Sequence, residues 1–372
     1  MTGGCARLGQ MQPDAAAPAG TQITDIDWNA LLAPYRKPVA WRAWFQVLNT
    51  AIPFAALWTA MYLSLPVGYW LTLLLAVPTA MFLVRMFMFQ HDCGHGAFTP
   101  SQKVNNVVGS LIGVLTLVPY DYWRKTHAIH HAASGNLDIR SFGDIDTLTV
   151  KEYLSLSPGK RLAYRAYRHP FVMLVVGPIW QFVIKHRWPT DAPREWTREW
   201  QSVHWTNVVL AGVIAIMALT IGVKAFLLIQ LPVTLLAGSI GVYMFYVQHQ
   251  YEDTYWRYRE TWNYYHAGLE GASHLVMPRW LQWFTANIGL HHIHHVSSRV
   301  PNYNLQRCYD ENPEFHDVTR LTLPQSVGTL RLTLWDEDGK KLVGFRDLPW
   351  IQARLAAPVA PTKPEAVPKS WR

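Results

Sequence analysis

The chain has 372 residues, half of them hydrophobic, with 18 Trp, 16 His, three Cys and a formal net charge of +8. A soluble chain of this length would divide into two or three domains, but here the apolar residues gather in a few long blocks, which argues against that organisation. Cys5, Cys93 and Cys308 show no spacing of a disulfide framework. The basic balance asks for no nucleic acid, because a basic face also suits anionic lipid headgroups or an acidic protein partner.

Residues 1–24 are rich in Ala, Gly, Pro and Gln and lack a basic stretch feeding an apolar one. They read as a disordered tail rather than a signal peptide, and the first boundary falls near residue 40. Two apolar blocks follow, about 47–65 and 69–90, each near the roughly 20 residues that cross a bilayer core. His91-Asp-Cys-Gly-His95 comes directly after the second block. Block 104–119 is shorter and carries Asn105, Asn106 and Pro119, and block 171–184 holds Pro178 in its middle. Both read as interfacial or re-entrant helices. Between them lies His127-Ala-Ile-His130-His131. Two further spans, 203–222 and 225–248, end at His249, and His291-His-Ile-His294-His295 follows downstream. From about Ala356 the chain is again Ala/Pro/Lys-rich and reads as a tail.

Arg and Lys set the orientation. The loops joining the first to the second span and the third to the fourth carry little more than Lys224, while 1–46, 91–202 and 249–372 hold nearly all the rest, Arg85 apart. The excess of basic residues marks the cytoplasmic side. Both termini, the central loop and all three histidine clusters are expected there.

Eight clustered histidines stand at i, i+3 or i+4 spacing, which on a helix aligns side chains on one face. Imidazole is the commonest protein metal ligand, and eight exceed the need of one four-coordinate ion, so two ions are expected. Imidazole alone does not choose among iron, zinc, copper and nickel. No Glu has His three residues later, so the site differs from carboxylate-bridged bundles and is nitrogen-rich. His249 leaves the fourth span where His91 leaves the second, which makes it the expected ninth ligand ahead of His266 and His274. His292 is rotated about 100° from the ligand face and reads as an outer neighbour of the ligands or as solvent-facing. Cys93 points away from the face shared by His91 and His95 and reads as packing. His169, His186, His204 and His316 lack partners at ligand spacing and read as ordinary surface or core residues.

The three boxes on a four-span frame resemble the membrane-bound fatty acid desaturases. Further stretches resemble the Δ12/ω-6 and ω-3 branch: His91-Asp-Cys-Gly-His-Gly-Ala-Phe98, Val118-Pro-Tyr120, Trp123-Arg-Lys-Thr-His-Ala-Ile-His-His131, Tyr246-Val-Gln-His249, Asn287-Ile-Gly-Leu-His-His-Ile-His-His295 and Arg299-Val-Pro-Asn-Tyr303. The likeness covers roughly residues 40–350. It implies an all-α integral membrane protein with four transmembrane helices in two hairpins and a cytoplasmic helical cap carrying the histidine boxes. It also implies a centre of two iron ions on His91, His95, His127, His130, His131, His291, His294 and His295, with His249 in the place of the family's extra ligand. The family's third box sometimes begins with Gln; here it begins with His291.

The expected domains are an N-terminal tail 1–40, a membrane-embedded domain 41–310 with its di-metal cap, a C-terminal segment 311–355 and a tail 356–372. The expected reaction is O₂-dependent insertion of a cis double bond into a fatty acyl chain carried on a lipid, CoA or carrier protein. The chain holds no rubredoxin or ferredoxin cysteine pattern and no nucleotide-binding glycine motif. An external electron donor such as ferredoxin or cytochrome b5 is therefore implied, with Arg124 and Lys125 available to receive an acidic partner. The same frame admits an acyl hydroxylase, an epoxygenase or a carotenoid oxygenase. A membrane metal transporter would need ionisable groups inside the spans, and Arg85 is nearly alone there.

Overall fold

A computed structural model describes residues 23–140 and 144–356. Cys5 and most of both tails lie outside the described residues.

Four helices dominate the described chain: Ala40–Ser64, Tyr69–Gly94, Thr197–Thr220 and Val223–His249. At about 1.5 Å per residue they are about 36–40 Å long, and their apolar composition suits a bilayer core of about 30 Å. Each extends beyond its apolar block, so the second carries His91 in its last turn and the fourth ends on His249. Pro53, Pro78 and Pro232 lie inside three of them, a substitution that membrane helices tolerate where neighbours meet the freed carbonyls.

The connections are short, residues 65–68 and 221–222. At the second, Gly222 takes φ +85°, a backbone that costs glycine little. The second helix is the central one and packs against the first, the fourth and the Gln102–Leu115 helix. Its Ala76 and Ala80 join Ala43, Met61, Ile229 and Val233 in a fully buried cluster, small side chains allowing close helix approach. Large apolar side chains face outward on the other sides, among them Phe45, Ile52, Val208 and Leu219, as lipid-facing positions require.

Past His95 the chain reverses at Gly96 (φ +66°) and enters the Gln102–Leu115 helix, whose first turn is capped by Ser101. The Tyr120–Ala133 helix follows. The segment expected at 171–184 forms two wide π-helical turns, Val172–Val176 and Ile179–Ile184. Phe171, Ile179, Trp180 and Val183 are exposed on it while Met173 is buried, the two-sided pattern of an interfacial element.

The histidine ends of the second and fourth helices are covered by short elements, chiefly Tyr264–Glu270, His291–Val296 and Asn302–Glu311. Two small sheets depart from a purely helical fold. Leu148–Thr149 pairs in parallel with Leu334–Asp336, which pairs antiparallel with Lys341–Val343; His274–Val276 runs parallel to Arg320–Thr322. Strands of two or three residues leave no readable alternation. Part of the stretch assigned to the N-terminal tail is also folded. Trp28, Leu32 and Tyr35 are buried against Leu269, Ile293 and Phe315, so residues 28–35 brace the helix that carries the third histidine box.

Candidate metal centre

The nine histidines come together in two groups. His91, His95, His127, His131 and His294 form one, and His130, His249, His291 and His295 the other; within each group one ring nitrogen per residue lies within 4.8 Å of all the others. Two short helices each serve both groups. In Tyr120–Ala133 the i and i+4 pair, His127 and His131, enters the first group and His130 the second. In His291–Val296 the roles exchange: His291 and His295 enter the second group and His294 the first. A step of three residues turns a helix by about 300°, enough to swing one imidazole of each box to the other side. That is the physical use of the H-x-x-H-H spacing.

The facing nitrogens are close. Nε2 of His131 lies 3.1 Å from that of His127 and 3.0 Å from that of His294. Nε2 of His291 lies 3.0 Å from that of His249 and 3.1 Å from that of His295. Buried neutral imidazoles do not gain by crowding acceptor nitrogens, and Nε2 of His91, His95 and His130 has no hydrogen-bond partner among the described residues. Nitrogens each about 2.1 Å from a shared ion stand about 3.0 Å apart at a right angle and about 3.4 Å at the tetrahedral angle. The closest pairs therefore fit nitrogens that share metal ions.

Several contacts aim the rings. His130 Nδ1 lies 2.5 Å from Asp144 Oδ1, and His249 Nδ1 donates to the Gly271 carbonyl at 3.0 Å. Each leaves Nε2 facing the group, the arrangement by which outer partners fix a ligand's tautomer and orientation. Asp92, beside His91, accepts from both the backbone N–H and the side-chain amide of Asn302 at 2.8 Å, tying the first box to the segment after the third. Trp123 stacks on His127 at 4.5 Å between centroids. Asp144 and Gly271 escaped sequence reasoning, since neither stands at a helical spacing from its histidine, and Asn302 stands out in the sequence only within the Arg299–Tyr303 stretch, with no partner assigned.

Burial, followed by the neighbouring histidines, holds His127, His131, His294 and His295 well below the ordinary imidazole range. These rings are neutral near pH 7, the state in which imidazole binds metal. His95 and His127 are half-buried and the other seven are buried, so the first group lies nearer the outside.

The remaining histidines stand apart. His266 is partly exposed and pairs with Glu270 at 2.7 Å. His274 lies on a strand edge, in neither group. His292 departs from the solvent-facing alternative: it is fully buried, packed between His274, Tyr309 and Phe315, because the chain after the third box folds over its outer face. His186 is a buried residue bonded to Gln181 and to the Leu117 carbonyl. His316 bonds the Tyr309 carbonyl, His169 accepts from the Phe171 N–H, and His204 stacks on Trp200. Cys93 is buried in the apolar cluster with Phe89 and Tyr120 and belongs to neither histidine group.

A cavity of about 530 Å³ opens beside the site. His91, His127 and His291 line it, with apolar side chains of the second and fourth long helices and of residues 172–182 forming most of the rest.

Bilayer-length helices, an all-imidazole site and an apolar cavity against it define the class: a membrane protein whose histidine clusters can hold metal beside an apolar cavity. A family model described as fatty acid desaturase matches residues 65–323. The chain is 44% identical over 332 residues to a fatty acid desaturase of Bacillus subtilis (strain 168), covering 89% of this chain and 94% of that one. It is 29% identical to an sn-1 oleoyl-lipid 12-desaturase of Picosynechococcus sp., covering 72% and 76%, and 26% identical to a chloroplastic omega-6 fatty acid desaturase of Glycine max, covering 72% and 62%. The chain belongs to the fatty acid desaturase family, and is accordingly an oxidoreductase of unsaturated fatty acid synthesis.

Proposed function

We propose that the protein introduces a cis double bond into a fatty acyl chain. Two hydrogens leave adjacent methylene carbons, and O₂, two external electrons and two protons leave as two waters. The observation that carries this reading is the cavity: an apolar volume large enough for a chain, with imidazoles of both groups on its wall. His91, His95, His127, His131 and His294 would hold one iron and His130, His249, His291 and His295 the other, and the pair would supply the O₂-activating redox chemistry. The protein's own part is to position the chain and exclude water. Phe87, Met88, Val242 and Met244 present apolar surface beside His91 and His291, so an acyl chain replaces water there at no polar cost.

In this reading the four helices form two membrane hairpins, with both termini and the histidine cap on the cytoplasmic side. The electrons come from a separate carrier such as a ferredoxin or cytochrome b5. Arg124 lies close enough to His95 to disfavour protonation of that ring, and Lys125 lies over the Trp196 ring at 5.6 Å. This basic patch over the more exposed group is where an acidic carrier would dock. The acyl group is carried on a lipid, CoA or a carrier protein, and the 12-desaturase and omega-6 relatives give the first bond position to look for.

Expression in a host lacking polyunsaturated lipids, followed by double-bond localisation in the total fatty acids, tests the activity. A new cis double bond is the expected product; hydroxylated or epoxidised chains in its place would overturn desaturation in favour of oxygen transfer. Metal analysis of the purified chain should find about two ions per chain, iron in the active form. A content near one, with all nine histidines intact, contradicts the two-group assignment.

A further inference from the structure

The cavity beside the histidines is apolar along most of its wall, but its polar side chains include a connected set. Tyr122, Gln181, Lys185, His186 and Asp191 all line it. Lys185 Nζ lies 2.7 Å from Asp191 Oδ2, and the Tyr122 hydroxyl donates to Asp191 Oδ1 at 3.0 Å. His186 is buried, and burial pushes it down to about 3, so the ring is neutral. Its Nδ1–H donates to the Leu117 carbonyl at 3.2 Å, which leaves Nε2 to accept from the Gln181 amide at 2.9 Å. The salt bridge engages one of the three N–H groups of Lys185, and the bond to His186 engages one of the two on Gln181. Both side chains retain donors on an edge whose charges cancel.

That edge sits at the membrane-facing side. Trp180 lines the same cavity yet is 57% exposed, and Ile184 and Trp188 beside it are exposed too, the amphipathic aromatic signature of the water–bilayer boundary. Elsewhere the cavity runs to Val176, Ala237, Gly238 and Gly241, where Gly238 approaches so closely that a Cβ would stand 3.0 Å from Pro178 and 3.1 Å from Phe182. Along the Tyr120–Ala133 helix, Tyr122 and His127 are five positions apart, about 7.5 Å of rise. One cavity thus has a polar edge at interface depth, imidazoles nearby and an apolar remainder.

We infer that the edge formed by Tyr122, Gln181, Lys185 and Asp191 is the subsite for the carbonyl end of the acyl substrate, and that it fixes which methylene faces the histidines. An ester or thioester carbonyl is an uncharged acceptor, which Lys185 and Gln181 can serve without breaking the Lys185–Asp191 pair. A free carboxylate or phosphate would instead find no net positive charge there, because Asp191 already neutralises Lys185. The methyl end then lies along the apolar remainder. The inference rests on the acyl-desaturase reading, and the test separates the two.

The test uses the full-length, metal-loaded protein in detergent, with Gln181→Leu and Lys185→Met as variants. Gln181→Leu leaves the salt bridge intact, so it remains informative if Lys185→Met strands Asp191 and fails to fold. Wild type should bind methyl oleate more tightly than 1-octadecene, which lacks the ester, and each folded variant should lose about fivefold of that preference, the effect of one hydrogen bond. Repeating the measurement with dioleoylphosphatidylcholine in nanodiscs and with oleoyl-CoA assigns the carbonyl: a variant loss on the phospholipid identifies an ester, and a loss on the CoA compound a thioester. In cells the variants should spread the double bond over neighbouring positions. Variants that keep the wild-type ester preference and bond position overturn the subsite. A wild type that prefers the ester but forms no double bond overturns the desaturase reading and leaves the subsite standing.

Discussion

His249 and His266 share a residue type and differ in everything that makes a ligand. His249 Nε2 stands 3.0 Å from His291 Nε2 with its other nitrogen anchored on Gly271, whereas His266 is spent on Glu270 at a half-exposed helix turn. His249→Ala should therefore lose about one metal ion per chain and nearly all activity, because removing a ligand disrupts geometry and outer contacts together, while His266→Ala should keep both. Metal analysis beside product yield decides it, and a metal-replete His249→Ala would remove His249 from the site. Asp144 acts through His130. Asp144→Asn keeps the shape and lowers the acceptor strength, so it should weaken metal affinity about 10-fold or more without unfolding the chain, read by competition with a chelator. Cys93→Ser should retain metal and most activity, since the thiol lies in an apolar cluster away from both groups.

Helices set the site by how they turn and how closely they approach. The spacing of the histidines was readable because a helix converts sequence distance into angle; the sorting of each box between two groups was not, since it depends on which neighbour lies on each side. The same limit hid Asp144, 14 positions from His130, and the folding of residues 302–315 over His292. These are contacts between elements, and sequence periodicity describes only the inside of one element. Close approach makes its own prediction. Gly109 on the Gln102–Leu115 helix faces the Tyr120 ring, and a Cβ there would stand 2.2 Å from it. Tyr120 in turn donates to the Cys93 carbonyl at 2.8 Å, in the last turn before His95. Gly109→Ala gains helix propensity but must displace that ring, so overpacking should dominate and cost about 1–3 kcal/mol. Thermal unfolding in detergent measures this, and a variant as stable as wild type would show that the ring moves freely.

At the scale of the whole molecule, the spans and the basic balance were legible because a bilayer demands long apolar runs, whereas the short strands and the folded stretch near Trp28 carry no such demand. The fold also buries histidines that serve no metal group, and this has a consequence for acid stability. Burial, helped by nearby Arg187 and Arg320 respectively, pushes His186 down to about 3 and His274 down to about 4. In the unfolded chain each would take up a proton near pH 6.5. The unfolded state thus binds more protons than the folded one below that value, so the stability due to these two rings is full above about pH 6.5 and falls with pH until the folded groups titrate. The melting temperature in detergent should accordingly drop between about pH 7.5 and pH 5. His274→Leu, which replaces a buried ring whose Nδ1 has no partner among the described residues, should show a smaller drop than wild type. The comparison isolates one titrating group from the metal-binding rings, which are the same in both proteins. Equal drops would mean that His274 is no more reluctant to take a proton in the folded protein than in the unfolded chain, and that the acid sensitivity resides in His186 or in the histidines facing the metals.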